Sequence, residues 1–260
     1  MSVATHYSAA VVADDSQYAG FADELAHRIG AVVVRPVDAE LLRGFAIRIV
    51  VGTDICVYTG HGRDERRISV DFSSSALQQR VQAGGKDLLI RACGLHKKQH
   101  KVRRVMDATA GFGSDAWVLA ATGVEVVALE QDPLIGALLQ SALHRAGVQG
   151  LTAAKNFTLC VGDAKTFDTQ APIDVVYIDP MFSGGRRKAA SSKSMSFLQG
   201  WLQDKYSEQD QLTLFERACD IASARVVVKR SVKAEALSSY PPTFQIKGKT
   251  HRFDVYQLGG

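Results

Sequence analysis

"VMDATAGFGSDA", residues 105–116, contains the transition that decides the fold: an apolar run ends at an aspartate, a glycine-bearing loop follows, and a helix-forming stretch begins. Gly111 and Gly113 would let the backbone of this loop approach a ligand without an intervening Cβ. Ser114 or Asp115 could cap the helix. The stretch also fits the dinucleotide fingerprint G-x-G-x-x-A, which alone is a weak signal because many such loops are only tight turns.

The rest of the chain extends this alternation of strands and helices. From about residue 104 to residue 230, apolar strands alternate with helices, and two final strands, "TFQIKG" and "HRFDVYQL", are expected to pair antiparallel. This pattern predicts an α/β fold, a mostly parallel sheet covered on both faces, with a C-terminal antiparallel hairpin. Residues 1–73 predict a small N-terminal α+β unit with a hairpin around a Gly-Thr-Asp turn. We therefore expect two domains, 1–73 and 74–260.

Composition sets limits on the function. The 260 residues hold 31 Lys and Arg against 27 Asp and Glu, a net charge of +4 that permits a polyanionic partner without demanding one. The four cysteines show no metal-like spacing, and seven histidines form no paired motif, so we expect no metal site. No apolar run approaches the roughly 18 residues of a membrane span. We expect a soluble, cytoplasmic protein without a membrane partner.

Ligands bind parallel sheets at the carboxyl ends of the strands, so the strand-ending residues are the candidate site. The first strand ends at Asp107, and Glu130 ends the next strand 23 residues later. A carboxylate at that position can accept hydrogen bonds from both hydroxyls of a ribose. Asp163 ends the third strand, where its side chain could accept from an adenine amino group while the Ala164 amide faces the ring.

The fourth strand end carries the motif "YIDPMF", with Asp179, Pro180 and Phe182. Two kinds of nucleoside-binding enzyme fit the first three ends: a nicotinamide-dependent oxidoreductase and an S-adenosylmethionine (SAM)-dependent methyltransferase. Only a transferase acting on an exocyclic amine needs the fourth, because the Asp179 carboxylate and the Pro180 carbonyl can both accept hydrogen bonds from the amine. Phe182 can stack on a flipped base. We expect these three residues to be catalytic, mainly by positioning the reactants.

Basic segments offer contacts to nucleic-acid phosphates. The stretch 183–194, expected to be mobile, carries the four candidate RNA-binding residues Arg186, Arg187, Lys188 and Lys193. A second run, "HKKQHKVRR" (96–104), precedes the first parallel strand, and Lys229-Arg230 end a later strand.

Taken together, "DATAGFGSDAWVLA", "YIDPMF", "VVVKR", "KTHRFDVY" and the set Asp71, Phe72, Arg80, Gly84 and Gly85 resemble the RsmJ family of bacterial 16S ribosomal RNA guanine-N2 methyltransferases. The resemblance covers about residues 68–257, and the N-terminal unit more loosely. It implies a Rossmann-like SAM-dependent methyltransferase that modifies N2 of guanosine 1516, with 16S rRNA or the small ribosomal subunit as partner. The cofactor contacts it implies fall on Ser114, Asp115, Glu130, Gln131, Asp163, Ala164 and Asp179, beside the glycines Gly111 and Gly113.

Other functions stay open at this stage. Any aminated base suits the Asp-Pro-x-Phe motif, so an adenine-N6 or cytosine-N4 methyltransferase of DNA or RNA is one alternative. A nicotinamide-dependent oxidoreductase and a non-catalytic RNA-binding module are alternatives from other classes.

Overall fold

The computed structural model describes residues 9–35, 39–97, 101–180, 193–202, 205 and 207–259. The strands are β1 Ala9–Ala13, β2 Val32–Val33, β3 Ile47–Val51, β4 Ile55–Thr59, β5 Arg66–Ile68, β6 Arg104–Asp107, β7 Glu125–Glu130, β8 Phe157–Val161, β9 Ile173–Ile178, β10 Ala222–Ser231, β11 Phe244–Lys247 and β12 His251–Gln257. The helices are α1 Ala19–Ile29, α2 Ala39–Leu42, α3 Ser75–Ala83, α4 Leu88–Ala92, α5 Ser114–Ala120, α6 Pro133–Val148, α7 Lys193–Leu202 and α8 Glu208–Ile221.

The larger sheet confirms the predicted architecture. Its seven strands follow the order β11-β12-β10-β9-β6-β7-β8, in which β10 to β8 are parallel and β12 runs antiparallel between β10 and β11. All five parallel strands therefore end at one edge of the sheet, which we call the carboxyl edge, and begin at the opposite, amino edge. The strand order reverses beside β6, and such a switch point opens a crevice for a ligand.

The N-terminal unit forms its own five-stranded sheet, in the order β2-β1-β3-β4-β5. It packs on helix α6 of the larger unit, where the Asp54 carboxylate pairs with Arg145 and accepts a hydrogen bond from Ser141 Oγ at 2.8 Å. Next to this contact, the rings of Phe72 and Trp117 stack with centroids 4.2 Å apart. One buried hydrophobic cluster includes side chains of both units, so the two sheets share a core.

Local sequence signals fix where the long helices start. Asp132 accepts hydrogen bonds from the N–H groups of Leu134 and Ile135, and Pro133 occupies the first helical position of α6. Ser207 and Asp210 form a reciprocal capping box at the start of α8.

Helix α7 is the main departure from the sequence prediction. Lys193, expected within a mobile stretch, is its first residue. The helix holds two serines and a glycine, which favour helices weakly, so the local pattern gives little sign of it. Tertiary packing compensates, because Leu198, Trp201 and Leu202 are all buried. Helix α4 is short, and a 3₁₀ turn at Gly84–Lys86 precedes it.

In the part of the chain that the structure describes, no helix has the length and apolar character needed to cross a membrane.

Candidate active site

Two adjoining clefts open at the carboxyl edge. The first cleft lies over the ends of β6, β7 and β8, and its wall includes Ala108, Leu129, Glu130, Gln131, Asp163, Ala164 and Leu214. The second cleft lies between the end of β9 and the segment that leads into α3, and its wall includes Asp71, Phe112, Ser114, Asp115, Asp179 and Lys229. Thr109 and Gly111 line both clefts, so the glycine loop after β6 forms a wall that the two clefts share.

Glu130 forms a buried acceptor at the floor of the first cleft. Its Oε2 accepts the Gly111 N–H at 2.8 Å, and its Oε1 accepts the Asp132 N–H at 2.8 Å. Burial raises the pKa of this carboxyl to about 7, against the effect of these amide hydrogen bonds. The carboxylate therefore holds the glycine loop in place as well as facing the cleft, a structural role that its position in the sequence did not indicate.

The two loop glycines differ in what they allow. Both have positive φ angles, 54° at Gly111 and 73° at Gly113. A Cβ at Gly113 would lie 2.6 Å from Leu139 Cδ1, so the glycine there permits close packing of the protein on itself rather than on a ligand. A Cβ at Gly111 would meet only Leu198, at an ordinary 3.6 Å, and this glycine lines the clefts as expected.

The cap expected for helix α5 was wrong. Gly113 is the N-cap residue, and no side chain of the described residues caps the helix there. The Asp115 carboxylate instead points to three other partners: Oδ1 accepts from Arg80 Nη1 at 2.7 Å, and Oδ2 accepts from the Tyr177 hydroxyl at 2.6 Å and from Lys229 Nζ at 2.9 Å. Although burial alone would raise the pKa of Asp115, Lys229 and Arg80 outweigh it and hold the pKa below its usual value.

Asp179 extends this charged network to the junction of the clefts. Its Oδ2 accepts from Lys229 Nζ at 2.8 Å, and its backbone N–H donates to Thr109 Oγ1 at 2.7 Å. Among the described residues, no donor reaches its Oδ1. Burial and the neighbouring Asp115 raise the pKa of Asp179, while Lys229 lowers it. Pro180 lines the first cleft, so the Asp-Pro pair faces both clefts.

Lys229 was one of the candidates for phosphate contact, and this part of the interpretation was wrong. Its amine lies between two carboxylates, and they raise its pKa above the usual value despite burial, which would lower it. The amine bridges the carboxylates of Asp115 and Asp179 and offsets the repulsion between them. Sequence analysis missed this role because the two partners are distant in the chain: Asp115 lies 114 positions before Lys229, and Asp179 lies 50 positions before it.

Three further residues that were predicted to bind the cofactor, Gln131, Asp163 and Ala164, lie together in the first cleft. Asp163 Oδ1 accepts the Lys165 N–H at 2.8 Å, which fixes the turn that places Ala164 in the wall. Lys165 Nζ in turn reaches Asp210 Oδ1 at 2.7 Å and anchors the turn to helix α8. Gln131 lines the same cleft next to Glu130.

Helix α7 forms a wall common to the two clefts. Leu202 lines the first cleft and Leu198 lines the second. The helix is tied to α6 by the Trp201 indole N–H, which lies 3.0 Å from both carboxylate oxygens of Asp132, and by Lys205 Nζ at 2.6 Å from the same carboxylate.

Four predicted site residues, Phe182, Arg186, Arg187 and Lys188, lie outside the described residues, and of Lys193 only the backbone is described. The other basic run, 96–104, leads into the start of β6 and so reaches the amino edge. There the Arg103 and Arg104 N–H groups donate to Asp174 Oδ2 at 2.6 and 2.9 Å. This end of the run lies at the edge opposite to Asp179.

No group of three or more His, Cys, Asp or Glu side chains that could hold a metal ion occurs within the described ranges.

Comparison with known proteins identifies relatives of this fold and site. The family model for SAM-dependent methyltransferases matches residues 49–258. A protein of Neisseria meningitidis serogroup C named ribosomal RNA small subunit methyltransferase J is 37% identical over 200 residues, 74% of this chain and 77% of the relative. A protein of the same name from Halorhodospira halophila is 37% identical over 202 residues, 74% of each chain. A crystal structure of a SAM-dependent methyltransferase from Neisseria gonorrhoeae superposes with a TM-score of 0.69 at 28% identity, covering 95% of both chains.

Proposed function

The chain belongs to the family of SAM-dependent methyltransferases that includes ribosomal RNA small subunit methyltransferase J, and on that premise we propose that it methylates the exocyclic N2 of a guanosine in 16S rRNA, in the cytoplasm. The resemblance of its motifs to the RsmJ family supports position 1516 as the target guanosine of this proposal. The observation that carries the proposal is the position of Asp179-Pro180, at the junction of the two clefts, where a cofactor in the first would meet an acceptor in the second.

The first cleft suits the adenosine part of SAM. Ala108, Leu129 and Leu214 supply apolar surface for a flat ring, and the carboxylates of Glu130 and Asp163 line the same cleft. Glu130 would accept from the ribose hydroxyls, because each carboxylate oxygen has a lone pair beyond the one used by a backbone amide. Asp163 would accept from the adenine amino group, with the Ala164 amide facing the ring.

The glycine loop would hold the rest of the cofactor. Gly111 leaves room between the clefts, and Ser114 and Asp115 begin helix α5 beside the second cleft. Gln131 completes the set of cofactor contacts next to Glu130. Gly113 supports this arrangement indirectly, because it lets α5 pack closely on Leu139. When bound, SAM supplies an electrophilic methyl group.

Asp179 would orient the amine that receives the methyl group. The nitrogen of an exocyclic amine is a weak nucleophile because its lone pair is delocalised into the base. Hydrogen bonds from its N–H groups to Asp179 Oδ1 and to the Pro180 carbonyl would hold the lone pair out of conjugation. Lys229 keeps Oδ2 occupied, so that Oδ1 is left for the substrate. The amine becomes acidic only as the methyl group arrives, so no strong base is required, and the raised pKa of Asp179 suits it to take the proton.

Phe182 follows this motif on the chain, and we propose that it stacks on the flipped guanine. Arg186, Arg187, Lys188 and Lys193 would contact the phosphates on either side of the target nucleotide.

A transfer assay tests the proposal. The purified protein is incubated with tritiated SAM and, separately, small ribosomal subunits, 16S rRNA and DNA. We expect label in one of the two RNA substrates, and label only in DNA would overturn the proposal in favour of an adenine or cytosine methyltransferase. Mass mapping of the labelled rRNA then identifies the base and its position, and modification of any base other than guanine would contradict the assignment to N2.

A pair of variants tests the role of Asp179. Asp179→Ala should abolish methyl transfer while the affinity for RNA stays nearly unchanged. Asp168→Ala removes an exposed carboxylate of the same type elsewhere and serves as the matched control. Full activity of the Asp179 variant would exclude the proposed acceptor role.

A further inference from the structure

The C-terminal hairpin and the turn after β10 present three lysines at the carboxyl edge, a feature that the charge pattern of the sequence had not singled out. Lys233 follows the end of β10, Lys247 ends β11, and Lys249 lies in the turn before β12. The strand register places all three near the same edge of the sheet, because Ser231 at the end of β10 pairs with His251, and Lys247 at the end of β11 pairs with Arg252. We call Lys233, Lys247 and Lys249 the hairpin lysines.

Charge is concentrated in this part of the chain. Residues 229–252 contain six Lys or Arg but one acid, Glu235. The whole chain, by contrast, is nearly balanced, with 31 basic and 27 acidic residues. All three hairpin lysines are exposed. Among the described residues, no carboxylate lies within ion-pair distance of any of them. Their charges are therefore available to an external anion.

The backbone that carries these lysines is held by buried groups. The Arg252 guanidinium pairs with the fully buried Asp254, at 2.8 Å from Nε to Oδ1, and its Nη1 donates to the carbonyls of Ser231, Val232 and Ala234 at 2.8 to 3.0 Å. These three bonds fix the turn that contains Lys233. The Gly248 N–H donates to the His251 carbonyl at 2.9 Å and closes the turn that contains Lys249.

The hairpin is continuous with the candidate active site. Lys229, which binds Asp179, pairs in register with Phe253 on β12. The His251 ring meets the Phe253 ring edge-on, with centroids 5.3 Å apart, and lies close enough to Asp179 to affect its pKa. An RNA strand that placed a base at Asp179 would therefore run its backbone next to this hairpin.

We propose that the hairpin lysines form a phosphate-binding surface for the RNA strand that flanks the target nucleotide. The inference rests on the proposed function, since it takes RNA as the substrate. It assigns RNA binding to the carboxyl edge and away from the amino edge, where the basic run 96–104 ends. Each lysine that neutralises a phosphate releases counterions, so the affinity must depend on salt through these side chains.

The test compares two triple variants with equal loss of charge. In the hairpin variant, each of the three hairpin lysines becomes Gln. In the control variant, Lys101→Gln, Arg103→Gln and Lys155→Gln remove three exposed charges that precede β6 and β8 at the amino edge. The affinity of each protein for 16S rRNA is measured between about 0.05 and 0.2 M salt, where counterion release dominates the slope. Binding of S-adenosylhomocysteine reports whether each variant is folded.

We expect the hairpin variant to bind rRNA more weakly and its slope of log affinity against log salt to become shallower by about 2 to 3, while the control slope changes by less than about 1. Equal changes of slope in the two variants, or an unchanged slope in the hairpin variant, would overturn the proposal that the hairpin lysines bind phosphates. A wild-type protein that transfers methyl groups to DNA but not to rRNA would instead overturn the proposed function, so the two failures are distinguishable.

Discussion

The buried carboxyl of Glu130 predicts that cofactor affinity falls as the pH is lowered through neutrality. Its pKa is raised to about 7 by burial, so a large fraction is protonated below that pH in the ligand-free protein. A protonated carboxyl loses acceptor capacity toward the ribose hydroxyls, and binding must first remove the proton. The sign is therefore fixed: the affinity is highest above about pH 7 and falls at lower pH.

The magnitude follows from that pKa. If the complex requires the ionised carboxylate, the dissociation constant is multiplied by about 11 at about pH 6 and by about 1.1 at about pH 8. We expect a loss of about tenfold between these conditions, equivalent to about 1.4 kcal/mol. Close to one proton should be released for each ligand bound at the lower pH.

Titration calorimetry with methylthioadenosine measures this dependence. This ligand carries the ribose hydroxyls but lacks the amino-acid part of SAM, so it does not add an amine or a carboxylate that titrates. Repeating the measurement in buffers of different ionisation enthalpy counts the protons released. Glu130→Gln should bind more weakly and show little pH dependence, whereas Asp107→Asn, at a buried acid that lines the second cleft, should keep the wild-type profile. An affinity that changes less than about twofold across this range would refute the reasoning.

Three further outcomes are expected. Gly113→Ala should lower the free energy of unfolding by about 1 to 3 kcal/mol more than Gly123→Ala in urea denaturation, because both have positive φ but only the first lacks space for a Cβ; equal losses would contradict this. Lys229→Met should reduce kcat at least about tenfold and move the acidic limb of its pH profile upward, because Asp179 loses the cation that lowers its pKa; an unmoved limb would show that the amine has no electrostatic role. Trp201→Phe should cost about 1 to 2 kcal/mol of stability by leaving a buried carboxylate short of a donor, measurable in the same denaturation assay.

The sequence predicted the sheet and the strand ends well, because both depend on local patterns. The strand that ends at Asp107 has the predicted bounds, and Glu130, Asp163 and Asp179 all lie at the carboxyl edge. Apolar periodicity shows where a parallel strand stops, and the topology of the fold then brings those ends together.

The contacts around Asp115 could not be predicted in this way. Its partners come from α3, β9 and β10, and Arg80 and Lys229 are 35 and 114 positions away in the chain. No periodicity relates such residues, and a carboxylate at the first turn of a helix locally favours a cap or a ligand contact. Helix α7 escaped prediction for a related reason, since burial of its apolar side chains outweighs its weak intrinsic propensity.

The position of helix α7 implies thermodynamic linkage between the two ligands. Leu202 borders the cleft proposed for the adenosine and Leu198 borders the one proposed for the acceptor, on a single helix anchored by Trp201. A ligand that shifts this helix in one cleft changes the free energy of filling the other. Reciprocity then requires that, whatever factor S-adenosylhomocysteine applies to the affinity for RNA, RNA applies the same factor to the affinity for S-adenosylhomocysteine.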